Sequence, residues 1–262
     1  MRPLTLGFQT ILALLLPAAL AQGQQLQVLK PRFELQVLLH NKPVGTEVLR
    51  SAKGAEANYY SSEAKLKDKV NKVWREFKQR SHLQLTIAGE VSQFDRWVDV
   101  TGATQGTKLF NLGGQWRIAV TEPAFEGKKP KPKVTDITAA QPLVVLDERL
   151  PSLVFVAIER MAGKESCDYV RIDNATFGKL ALSTEHVVDG KGVKYLRHRL
   201  TGDKVDAWVL RDAEDKVLAI QGLGGWSAVV GGGKVPADLK VVEAPAAAPS
   251  AAPTPTESHK AK

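Results

Sequence analysis

The sequence predicts a mainly β protein of the α+β type. The expected architecture is an antiparallel meander forming a curved sheet or half-open barrel, with one short helix packed on it. Three observations lead there. Apolar and polar residues alternate at period 2 in segment after segment. Short turns rich in Gly, Asn and Asp separate those segments. No strand–helix–strand alternation appears, which argues against Rossmann and TIM architectures.

The elements follow in order. Phe33, Leu35, Val37 and Leu39 alternate with Glu34, Gln36, Leu38 and His40, the mark of a half-buried strand. Asn41-Lys42-Pro43 is turn chemistry, and residues 44–49 return as the partner. Residues 83–87 and 94–100 alternate in the same way. Residues 107–112 and 116–120 flank Gly113-Gly114, a tight hairpin. Residues 180–188 and 193–200 flank Asp189-Gly190-Lys191-Gly192, and residues 205–210 and 217–221 flank Asp212-Ala213-Glu214-Asp215. One helix is expected after Pro151, which suits a first helical position. Leu150, Leu153, Ala157, Ile158 and Met161 share a face, and Gly163 is the stop. It should run for about three turns.

Size and composition bound the function. The chain has 262 residues, 44% of them hydrophobic and 24% charged, which excludes a disordered chain, collagen and a multi-span membrane protein. Residues 1–21 read as a secretory signal: Arg2, an apolar run over 6–16, Pro17, then Ala19-Leu20-Ala21 at the cleavage site. The run is about half of the roughly 20 residues a membrane span needs, so no transmembrane span is expected after cleavage. Residues 22–243 read as a single antiparallel β domain, and residues 244–262 as a disordered Ala/Pro-rich tail. Cleavage removes one arginine and no acid, lowering the net charge from +8 to +7. The expected location is outside the cytoplasm, periplasmic or extracellular, and nucleic acid is disfavoured as a partner on that ground.

The tests for catalytic chemistry are mostly negative. No two of the five histidines lie at metal-ligand spacing. His186 and His198 are read as exposed strand residues about three positions out of register, so neither a metal nor a cofactor is expected. Cys167 is the only thiol, and beside Asp168 on a strand it is expected to be buried and unreactive. Gly225-Trp226-Ser227-Ala228-Val229 has Val229 where a nucleophile elbow needs its second glycine. Gly231-Gly232-Gly233-Lys234 has Ala228 and Val235 where a phosphate loop needs Gly and Ser/Thr. No catalytic residue is assigned.

Basic features give the best functional lead. Lys128, Lys129, Lys131 and Lys133 are interleaved with Pro130 and Pro132, which hold an extended loop. A second basic stretch runs from Lys65 through Lys67, Lys69, Lys72, Arg75 and Lys78 to Arg80. Both suit an anionic envelope polymer or lipid. Trp97, Trp116 and Trp208 join the four lysines of the loop as candidate ligand contacts, although core packing is the commoner use of such residues.

Several short motifs resemble a group of bacterial envelope proteins of unknown function built from a long antiparallel meander. They are Pro43-Val44-Gly45-Thr46, Ser61-Ser62-Glu63-Ala64-Lys65-Leu66, the Pro-Leu-Val-Val-Leu-Asp run over 142–147, and Ala207-Trp208-Val209-Leu210. The resemblance covers roughly residues 30–225 and implies a half-open barrel similar in outline to lipoprotein carriers. It offers no catalytic residue. It bears on residues 62–80, where Leu66, Val70, Val73, Trp74 and Phe77 match helical spacing and Ser62 suits an N-cap. The resemblance implies paired strands there, and strands are the reading adopted. The function expected is an exported binding or scaffold protein without catalytic activity, holding an apolar or anionic envelope ligand. The alternative is an envelope hydrolase or its accessory domain, with Ser227 as its only specific hint.

Overall fold

The computed structural model describes residues 29–242, apart from 71, 101, 113–114, 123–131, 140–142 and 237. It is mostly strand, in one open, curved sheet, with one short helix. The first meander comprises β1 (Lys30–Leu39), β2 (Lys42–Lys53), β3 (Ala57–Val70), β4 (Val73–Thr86), β5 (Val91–Val100), β6 (Ala103–Leu112), β7 (Gln115–Thr121) and β8 (Lys133–Ile137). Then come β9 (Leu143–Leu146), α1 (Ser152–Met161) and β10 (Ser166–Arg171). The second meander continues through β11 (Thr176–Val188), β12 (Lys194–Gly202), β13 (Val205–Arg211), β14 (Val217–Gln221) and β15 (Trp226–Val230). β15 pairs antiparallel with β1, which fuses the meanders and leaves β8 and β9 at the two edges. A last strand, β16 (Lys240–Val242), pairs with β11.

Residues 62–70 and 73–80 are strand, as expected: β3 and β4 pair along their whole length, from Ala57↔Thr86 to Val70↔Val73. The inward positions are Ser62, Ala64, Leu66, Phe77, Gln79, Ser81, Leu83 and Leu85. The helical spacing comes from a hairpin that reverses inside the segment. Lys72, at φ +67°, takes part in the reversal.

Three local expectations are corrected. The first turn is His40-Asn41, at φ +49° and +63°, and β2 starts at Lys42. A two-residue turn of this hand needs two left-handed residues, and Pro43 cannot supply one. Pro151 stands at the N-cap of α1, one position before the helix. A strand–helix–strand unit does occur once: β9 and β10 are parallel, with α1 between them. Its signal was hidden because all four residues of β9, Leu-Val-Val-Leu, are buried and show no alternation.

The helix lies in the hollow of the sheet, with Ser152 through Ile158 and Met161 buried. Arg160 ties its end to the rim. Its Nε donates to the Gly89 carbonyl at 2.9 Å and its Nη1 to the Leu143 carbonyl at 2.5 Å. The main core fills this inner side. A smaller core of Val187, Leu210, Ala219 and Val229 lies on the outer side. Val235 and Leu239, from the segment between β15 and β16, help to cover it. No helix among the described residues is long and apolar enough to cross a membrane.

Candidate functional site

The curved sheet and α1 enclose a trough with a cavity of about 950 Å³. It lies at the C-terminal end of α1. One wall carries Ser51, Ala52 and Lys53 of β2 with Asn58 and Tyr60 of β3. The facing wall carries Leu182 and Thr184 of β11, Leu196 and His198 of β12 and Arg211 of β13. Ile158, Glu159 and Ala162 border it at the helix. Antiparallel register brings the wall residues together: Ser51 faces Tyr60, Thr184 faces His198, and Leu196 faces Arg211.

Two guanidiniums stand over the ring of Phe155, Arg32 at 4.9 Å and Arg211 at 5.6 Å from its centroid. Arg32 also grips Glu159 with two bonds of 2.7 and 2.8 Å, joining β1 to the helix. Arg211 reaches Asp215 at 3.3 Å. Burial pushes the Tyr60 phenol above its ordinary range, with Glu159 adding to the effect. Burial, then the charge of Arg211, holds His198 below its ordinary value. Its Nδ1 lies 3.0 Å from the Thr184 hydroxyl. The wall therefore offers aliphatic surface, aromatic surface and cations together.

A buried polar cluster anchors the other end of the helix. Glu47 of β2 is 0% exposed. Its Oε1 accepts from both the Ser62 and Ser152 hydroxyls, and its Oε2 accepts the Ser152 backbone N–H at 3.3 Å. Pro151 provides no side-chain cap, so a carboxylate from a distant strand takes that role. Burial raises the Glu47 pKa to about 7, against the opposing hydrogen bonds from the two serines. Beside it, Arg96 of β5 pairs with buried Asp147 at 2.7 Å, and Asp147 Oδ1 accepts the Arg149 backbone N–H at 2.8 Å. These bonds fix the loop that leads into α1.

The candidate contacts drawn from the sequence are not gathered at the trough. Trp116 is buried in the main core. Trp208 packs, half-buried, against the small outer core. Trp97 is on the outer face of β5, with its ring 5.5 Å from that of His82. Lys133 begins β8 and is exposed; Lys128, Lys129 and Lys131 lie outside the described residues. His198 is half-buried rather than exposed, and His186 is offset from it by two positions, not three, because His198 faces Thr184. Among the described residues no group of His, Cys, Asp or Glu is placed to hold a metal ion. Ser227 is buried inside β15, not at a strand-to-helix turn.

Sequence reasoning missed Arg32, Tyr60 and Arg211. The available signal was the basic and aromatic residues at inward positions of otherwise apolar strands, but only the register shows which positions face inward. The chain matches no protein-family model, no curated protein and no solved structure.

Proposed function

We propose that the protein is an exported binding protein without catalytic activity, and that the trough holds an elongated apolar ligand with an anionic end. The cavity of about 950 Å³ carries this reading. Ligand sites run from about 300 to 1,000 Å³. Ala52, Ile158, Leu182 and Leu196 supply apolar wall for a hydrocarbon chain. Burial of each methylene there contributes roughly 0.8 kcal/mol. Lys53, which makes no ion pair among the described residues, supplies positive charge for the polar end, while Arg211 is held by Asp215. The rigid setting of α1, held by Glu47 at one end and Arg32 and Arg160 at the other, keeps the floor in place without a ligand. Export rests on the signal-like residues 1–21.

The test is displacement of a fluorescent fatty-acid analogue by palmitate and by hexadecanol. Palmitate should compete better, and Lys53→Gln should narrow the gap. Leu196→Trp, which fills the trough, should weaken both by about tenfold or more. Non-saturable probe uptake, or equal affinity in the filled variant, would reject the proposal.

A further inference from the structure

The outer face of β4, β5 and β6 has a second concavity, of about 360 Å³, lined by Lys78, Arg80, His82, Trp97, Asp99 and Thr104. It is on the opposite side of the sheet from the trough and owes nothing to it. On β4 the even-numbered residues point outward. Register then sets Arg80 opposite Trp97, and Lys78 opposite Asp99. On β6, Thr104 faces Asp99 and Gly106 faces Trp97.

Three features stand out on this face, where Arg80 also faces Glu63 of β3. First, Lys65 of β3 directly faces Lys78 of β4. Like charges at facing positions destabilise a strand pair. Second, no ion pair joins Lys65, Lys78 or Arg80 to a carboxylate among the described residues. The nearby acids are engaged elsewhere: Glu63 pairs with Arg50, Glu76 with Lys67 and Asp95 with Lys108. Asp99 Oδ1 takes the Gly102 N–H at 3.0 Å in its own turn. Third, Gly106 interrupts β6, although a side chain there would meet only the Thr121 Cβ, at 3.9 Å. Glycine inside a strand costs roughly 0.5–1 kcal/mol against alanine. Gly106 faces Trp97 across the strand pair and sets no side chain beside it, and Trp97 is 36% exposed.

We infer that this concavity binds an acidic sugar residue of a polysaccharide. The indole offers a flat apolar face to the C–H face of a pyranose ring. Asp99 and Thr104 can take hydroxyl groups, and Arg80, Lys78 and Lys65 take the carboxylate or sulfate. His82, edge-on to Trp97 at 5.5 Å, sets the tilt of the indole. The carboxylate of Asp99 in the lining suits sugar hydroxyls, which every ring of a polysaccharide offers. An indole recessed in a concavity suits a discrete ring better than a lipid surface.

The experiment is calorimetric titration of the intact protein with oligogalacturonate. Neutral dextran oligomers, phosphatidylglycerol vesicles and oligothymidylate serve as comparisons. Saturable binding to oligogalacturonate alone is expected. Trp97→Ala and Gly106→Val should each weaken it about tenfold. Arg80→Gln should weaken it and lower its salt dependence. Lys204→Gln, at the distant turn between β12 and β13, should leave it unchanged. A circular dichroism spectrum identical to the wild type shows that Gly106→Val is folded, and Trp97→Ala carries the test if it is not. Absent binding, binding indifferent to Trp97→Ala, or equal losses in Arg80→Gln and Lys204→Gln would overturn the inference. Preference for the vesicles or for oligothymidylate would also overturn it and assign the face to that partner.

Discussion

Glu47 concentrates the chemistry of the helix anchor in one residue. Its carboxyl is raised from 4.5 to about 7 by burial, so the folded protein binds its proton more tightly than the unfolded chain does. Its contribution is therefore complete below pH 4.5 and is lost as pH rises to about 7. Urea titrations of wild type and Glu47→Gln across that window should show the wild type losing about 3 kcal/mol relative to the variant. A difference that does not change with pH would contradict this. Cys167 is a second residue-scale case. It is 6% exposed, its Sγ lies 3.2 Å from the Met161 thioether, and burial pushes its pKa up to about 11. The native thiol should react with a disulfide reagent about a hundredfold more slowly than in guanidinium at the same mildly alkaline pH. Equal rates would mean that the site is open. Its burial was legible in the sequence, because a lone thiol next to an acid on a strand has few other uses. The buried Glu47 was not legible, because in Gly-Thr-Glu-Val it reads as an ordinary outward strand position.

At the scale of elements, the strands were legible wherever one face is apolar and the other polar. In β3 the lysines at 65, 67 and 69 fall on alternate positions, which is itself the strand period, while Leu66 and Phe77 mimic a helix only across the turn. Where both faces are covered the pattern fails, as in β9, and the parallel pair went unseen. Register demands small residues at particular crossings. At Gly45 of β2 an added Cβ would lie 1.9 Å from the Lys65 carbonyl oxygen. Gly45→Ala must push β2 away from β3, and the loss should be about 2 kcal/mol or more. A lowered urea midpoint at unchanged slope would show it, and an unchanged midpoint would mean that the strands adjust freely.

For the whole molecule, the sheet order explains how a meander comes to enclose a trough. The edge strands β8 and β9 are consecutive in the chain, and only residues 138–142 separate them. Six Cα–Cα steps span at most about 20 Å, so the two edges stay near each other while the sheet remains open. α1 then occupies the hollow, and the space left at its C-terminal end is the proposed binding cavity. The half-open outline and single helix were legible from turn spacing and alternation. The cavity was not, because its walls combine β2 and β3 with β11 to β13, strands that lie more than a hundred residues apart in the chain. The most direct measurement of the binding proposal is a methyl NMR titration with dodecyl phosphate, kept below its micelle concentration. Shifts are expected at Ile158, Leu182 and Leu196 that saturate at an equimolar ratio, with Val187 and Val229 of the outer core unmoved. Shifts confined to the outer core, or none at saturating ligand, would contradict it.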